Sequence, residues 1–272
     1  MPSMTEIPPV VVSMTTIPSR IHALPRVVDS LLLQNHPVAE IRLYIPWSYR
    51  RFPNQSIDID DIDPRVTVVR VDEDLGPLTK VAFAVEEFRD QAVLVLACDD
   101  DMAYEPTWVE RFMHAYLKNP QHCLVQSGGF LNQFSTVSQS FCSKPRAKYK
   151  GFYYRLRRAL SLGSWKPRSP FVASGFVDIG EGWAGFLVNP DWFDDEFKAI
   201  PEQIRLVDDI WISAYLSSRG IGIWLIQNAL RPLTSEVAKT DALNQIKDAV
   251  SERHYLNNKA VVLLREHLGV WS

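Results

Sequence analysis

Two short runs of this chain are apolar apart from a single serine: "PPVVVSM" (8–14) and "AVLVLAC" (92–98). A strand with one wet face alternates apolar and polar residues. A strand apolar throughout has to be covered on both faces, as in a parallel sheet packed between helices. Segments of helical spacing follow both runs. In "IHALPRVVDSLLLQN" (21–35) the apolar stripe is Leu24, Val27, Val28, Leu31 and Leu32, and "PTWVERFMHAYLKN" (106–119) carries proline in its first turn. Strands are expected at 40–46 and 65–71, with a helix at 78–90 between the third strand and the fourth. Downstream, "CLVQSGGF" (123–130), "GWAGFLVNPDWF" (182–193) and "GIWLIQN" (222–228) are further apolar segments, and 208–220 and the last 35 or so residues have helical spacing. Alternating strands and helices predict an α/β fold with a mostly parallel, Rossmann-like sheet flanked by helices. No repeat or low-complexity linker interrupts the 272 residues. One domain is expected, with halves at 9–120 and 121–272 and an insertion at 131–180.

The second apolar run ends in Asp99, Asp100 and Asp101. Open α/β sheets bind ligands beyond the carboxyl ends of their strands. Adjacent carboxylates there repel one another and are costly to bury. A divalent cation relieves both penalties, and Mg²⁺ or Mn²⁺ is held by one or two carboxylates together with phosphate oxygens and water. In an Asp-x-Asp arrangement the outer pair, Asp99 and Asp101, can share one ion, which leaves Asp100 for a sugar or ribose hydroxyl. The competing reading is a solvated turn with one aspartate capping the next helix.

These aspartates resemble the Asp-x-Asp motif of GT-A type glycosyltransferases, which ends a strand and holds a metal on a nucleotide-sugar diphosphate. Three other segments resemble the same family: "VVVSMTTIPSRI" its first nucleotide-binding strand and loop, "DLGPLTKV" (74–81) a segment upstream of the aspartates, and "VDDIWIS" (207–213) an acidic pair opening an acceptor-side helix. The ordered set spans roughly residues 9–230. The resemblance implies one GT-A domain, a nucleotide-sugar donor (most often a UDP-sugar), Mn²⁺ or Mg²⁺, and a glycan or other hydroxyl-bearing glycoconjugate as acceptor.

Carried over residue by residue, the resemblance gives Arg20 contact with the nucleotide, at its phosphates. A guanidinium suits that task because it is always charged and bonds phosphate bidentately. Thr15 and Thr16 stand where the base or ribose would be met. Lys80 offers a point charge to the diphosphate. Asp72 and Asp74 end the third strand, either facing the base or ribose or serving as turn residues. Asp209 matches the general base of inverting members, with Asp208 orienting the acceptor or donor sugar. Many relatives have Glu at the first position of this pair, so the contact made by Asp208 is open. Retention is the rival stereochemistry. In "GEGWAGFLVNP" (180–190), Gly182 permits close backbone approach and Trp183 offers a flat face to an acceptor sugar. His254 matches a C-terminal histidine that some members add to the metal.

Composition narrows the alternatives. The net charge of −3 excludes a generic nucleic-acid binder. Three cysteines without a CxxC give neither a disulfide framework nor a zinc knuckle. The opening "MPSMTEIPP" has no apolar signal core, and no stretch approaches the about 18 apolar residues of a membrane span, so a soluble, cytoplasmic protein is expected. Residues 144–168 hold nine Lys/Arg and no acid, mixed with aromatic and aliphatic side chains. This tract (143–169) suits peripheral membrane contact through an amphipathic helix, an acidic acceptor or pyrophosphate, or a lid over the donor. A sugar-nucleotide pyrophosphorylase is the rival enzyme, but "SMTTIPSR" lacks the glycine-rich loop expected of one. A non-catalytic sugar- or membrane-binding module is the rival from another class.

Overall fold

The computed structural model describes residues 7–136, 145–165, 170–229, 231–234 and 249–271. Eight strands form the main sheet: β1 (Val10–Thr15), β2 (Glu40–Pro46), β3 (Thr67–Val71), β4 (Leu94–Ala97), β5 (Cys123–Val125), β6 (Gly175–Val177), β7 (Phe186–Val188) and β8 (Ile223–Leu225). Their order across the sheet is β6-β8-β5-β7-β4-β1-β2-β3. Neighbours run parallel except where β7 lies antiparallel between β4 and β5 and β6 lies antiparallel against β8. The fold is α/β, a mostly parallel sheet flanked by helices.

The helices longer than one turn are α1 (Leu24–Leu32), α2 (Thr79–Glu87), α3 (Trp108–Tyr116), α4 (Phe152–Leu160), α5 (Asp208–Ser218) and α6 (Ala249–Leu268) among the described residues. Both faces of the sheet are packed. On one face Val10, Val12 and Met14 of β1 meet Leu24, Val28 and Leu31 of α1 and Phe112 of α3. On the other, Val11 and Val95 join Val81 and Val85 of α2, Ile212 and Leu216 of α5, and Val261 and Leu264 of α6. Burial on both sides explains why β1 and β4 do not alternate.

Several element ends differ from the sequence expectations. Pro106 precedes α3 in a turn closed by the Trp108 amide on the Glu105 carbonyl, so the helix begins at Trp108. "CLVQSGGF" is two pieces. After β5 the chain leaves the sheet, and Gly128–Gly129 pairs antiparallel with Ile179–Gly180. A Cβ on Gly128 would come within 2.5 Å of the Ile179 carbonyl, which is why glycine sits at this crossing. The stretch read as an insertion at 131–180 returns to the main sheet at its end, as β6. Of the C-terminal segment read as helical, residues 235–248 lie outside the described residues, as does Cys142. Among the described residues no helix is long and apolar enough to cross a membrane.

Candidate active site

The three aspartates leave β4 at its carboxyl end, next to the end of β1, where two loops approach them. From the β1 loop, Thr16 donates its hydroxyl to Asp100 Oδ2 at 2.6 Å, and one guanidinium nitrogen of Arg20 bonds both Asp100 Oδ1 and Asp101 Oδ2 at 3.0 Å. Tyr49 donates to the Thr16 carbonyl and fixes the loop from the other side. Lys80 sits at the start of α2 and is buried. Its ammonium forms an ion pair with Asp99 and lies 4.0 Å from Asp208 Oδ2. The buried Ser13 hydroxyl of β1 bonds the Lys80 carbonyl, tying the start of α2 to the sheet. Strand sequence, loop and helix start thus converge because the parallel topology brings their ends to one edge.

The acidic pair opens α5, where carboxylates suit the positive end of the helix. Asp209 Oδ1 accepts the Gly182 amide at 2.9 Å, and its carbonyl accepts the Ser213 hydroxyl. A Cβ on Gly182 would stand 3.0 Å from Asp209 Oδ1 and 3.5 Å from Lys80 Nζ. The glycine-rich loop therefore passes directly over the acid pair and the lysine.

Five carboxylates, Asp99, Asp100, Asp101, Asp208 and Asp209, face three cations: Arg20, Lys80 and, acting on Asp208 from α6, Arg253. Burial raises the carboxyl of Asp101 to about 6, helped by Asp99 and Asp100 and opposed by Arg20. Burial also raises Asp100 against the pull of Arg20, and raises Asp208 against that of Lys80. Asp209 is pushed well above the carboxylate range by burial and by Asp208. For Lys80, burial works to lower the pKa, but Asp99, Asp208 and Asp209 outweigh it and hold the ammonium protonated. Asp101 Oδ1 is buried and has no hydrogen-bond partner among the described residues. Surplus negative charge and an orphaned carboxylate oxygen fit a site completed by a cation. Among the described residues, no three His, Cys, Asp or Glu groups already form a metal cage. Mg²⁺ and Mn²⁺ do not require one when a substrate phosphate supplies further ligands.

The other expected residues are placed as follows. Thr15 donates its hydroxyl to the Tyr44 carbonyl at 2.8 Å, and the Thr16 hydroxyl is committed to Asp100, so both serve the local frame. Asp100 is enclosed by Thr16 and Arg20, which leaves its carboxylate holding the β1 loop. Asp74 is a turn residue: its carboxylate accepts the amides of Gly76 and Arg50, and Gly76 has φ +62°. Asp72 is exposed beside a groove of about 540 Å³ lined by Tyr44, Val69, Phe83, Glu86 and Lys198, a surface of β3 and α2. His254 is exposed on α6, beside Arg253, whose charge acts on Asp208, and among the described residues no group of three or more His, Cys, Asp or Glu that could hold a metal includes it. Trp183 donates its indole N–H to Glu181 at 3.2 Å, and the Arg231 guanidinium lies 5.2 Å over its ring.

The sequence reading missed Tyr104. This buried phenol receives the Asp99 amide at 3.1 Å and donates to the Trp183 carbonyl at 3.2 Å, joining the aspartates to the glycine-rich loop. Its signal was a tyrosine three residues past the triplet, in a segment otherwise bound for the core.

No family model matches the chain, and no curated protein matches it. Among solved structures, it is similar to Staphylococcus aureus TarS, residues 1–349. In the complex with UDP-GlcNAc the identity is 12% and the TM-score 0.46, covering 84% of this chain and 58% of that one. For TarS 1–349 alone the values are 12% and 0.46, covering 91% and 72%. For the UDP complex they are 11% and 0.45, covering 93% and 65%. The chain thus spans little more than half of the first of these. A likeness this distant assigns no role to any residue here.

Proposed function

We propose that the chain is a glycosyltransferase that takes its donor as a nucleoside-diphosphate sugar, a UDP-sugar, and passes the sugar to a hydroxyl of a glycan or other acceptor. One observation carries this reading: Asp99 and Asp101, Arg20, Lys80, and the pair Asp208–Asp209 converge at the carboxyl edge of the sheet. A diphosphate needs charge neutralisation, and an attacking hydroxyl needs a base. Both are available within this cluster.

Asp99 and Asp101 would hold Mn²⁺ or Mg²⁺. When bound, the metal offsets the charge that builds on the departing diphosphate. Lys80 and Arg20 supply fixed positive charge at the same edge. Asp209 takes the proton of the acceptor hydroxyl in an inverting displacement. The Gly182 amide fixes Oδ1 and so orients the carboxylate. The loop that carries Gly182 and Trp183 supplies the acceptor side.

The test is UDP release from a panel of UDP-sugars with Mn²⁺, with the anomeric configuration of any product read by NMR. Asp101→Asn should abolish metal-dependent release while the melting temperature stays within a few degrees. Asp209→Asn should cost about 10²–10⁴-fold in turnover, the range for loss of a general base. Near-wild-type rates in both variants would sink the proposal. A product of retained configuration would remove Asp209 as the base and keep the donor site.

A further inference from the structure

Helix α4 turns its apolar side to solvent. Phe152 is 74% exposed, Tyr153 83%, Leu156 42% and Leu160 78%, and Leu162 just beyond the helix is 97% exposed. At about 100° per residue, Phe152, Tyr153, Leu156 and Leu160 share roughly a third of the helix circumference. Tyr154 points the other way, buried with its ring 5.4 Å from that of Trp165. A surface helix ordinarily does the reverse, burying its apolar face and exposing its polar one. Arg155 and Arg157 flank the exposed stripe, one on each side, and Arg158 follows; all three are exposed. Residues 145–165 contain no acid.

We propose that α4 docks this chain on an anionic lipid surface, with the stripe entering the headgroup–acyl boundary and the arginines pairing with lipid phosphates. An outward apolar stripe bordered by guanidinium groups is the arrangement an interfacial helix needs. Charge selects the occupant. A second copy seated on the same patch would bring its own Arg155, Arg157 and Arg158 against these, and like charges would oppose the contact. An anionic bilayer complements them, each arginine near the surface strengthening binding about fivefold. The helix is anchored for this task. Before it, Arg146 makes a bidentate pair with the buried Asp178, both contacts 2.6 Å, and Asp178 also caps the turn at Leu131. Pulling on α4 therefore pulls on the core.

The experiment is co-sedimentation of the full chain with phosphatidylcholine vesicles with and without phosphatidylserine, over a salt series. The expected result is binding to the anionic vesicles only, weakening as salt rises. Joint substitution Phe152→Ser, Tyr153→Ser, Leu156→Ser and Leu160→Ser should lower binding by about tenfold or more. So should Arg155→Glu with Arg157→Glu and Arg158→Glu. Every substituted side chain is exposed, and an unchanged melting temperature confirms the fold. UDP release measured without vesicles should be unchanged in both sets, which keeps this proposal separate from the active-site reading. No wild-type binding to anionic vesicles would overturn the proposal. So would equal binding by the serine variant, a dimer that the serine variant dissolves, or binding to heparin that survives the serine changes without vesicle binding.

Discussion

Asp101 has one oxygen on Arg20 and the other buried without a partner among the described residues, in a cluster with more acids than bases. This single residue gives the folded protein a pH signature. Burial and its acidic neighbours raise its carboxyl from the ordinary carboxylate range to about 6. A raised carboxyl means that the folded state binds the proton more tightly than the unfolded chain does. The associated stability is fully present below the unfolded value and is lost as pH rises through the folded one. In chelator-treated protein, this group should therefore make the fold more stable near pH 4–5 than at pH 7, by about 1–3 kcal/mol. Thermal melts of wild type and Asp101→Asn across that window measure it. The variant should lose part of the slope, because Asp100, Asp208 and Asp209 are raised as well; an identical slope would assign it wholly to those groups. Lys80, at a helix start in "GPLTK", was expected to offer its charge to a diphosphate. Its burial between Asp99 and Asp208 was invisible because those acids lie 19 and 128 positions downstream, and only the folded topology brings them to it.

At the scale of elements, strand types were legible and strand ends were not. The largely apolar runs identified β1 and β4, because burial on both faces leaves room only for a polar group with a partner, as Ser13 has in the Lys80 carbonyl. The segment 123–130, expected only as an apolar run, is a three-residue strand followed by Gln126, Ser127 and a glycine pair, of which Gly128 marks a backbone crossing. Gly185 shows a related constraint. It has φ +108°, and an added Cβ would stand 2.8 Å from Trp108 Cζ2 and 2.9 Å from Phe112 Cζ. The Trp108 indole N–H meanwhile bonds the Ala184 carbonyl at 2.9 Å. Gly185→Ala should therefore cost about 2–4 kcal/mol through strain and overpacking together. Chemical denaturation would read this as a lower midpoint at constant slope; a loss below about 0.5 kcal/mol, the level of an ordinary surface change, would contradict it. Trp108 being wedged against this turn fixes the height at which the Gly182–Trp183 loop crosses the site.

For the whole molecule, the sheet gathers charge from loops distant in sequence, and stability and binding are coupled there. A ligand that compensates the surplus acid stabilises the fold by mass action, about 2.7 kcal/mol at a hundred times its dissociation constant. Mn²⁺ with UDP should raise the melting temperature of wild type at pH 7 and do so little for Asp99→Asn. An equal rise in both would place the metal elsewhere.

The sequence by itself determined the fold class, the placement of an acidic triplet at a strand end, and the acid pair at a helix start. Those features follow from burial and periodicity, which are local properties written into consecutive residues. Tertiary structure alone decided which candidates share a site. It brought Arg20, Lys80, Gly182 and Asp209 to the triplet, committed Thr15, Thr16 and Asp74 to framework bonds, left Asp72 and His254 in solvent, and recruited Tyr104. The physical reason is that charge compensation depends on distance in space. Across a parallel sheet, the groups that neutralise one another come from loops whose sequence separation says nothing about their proximity.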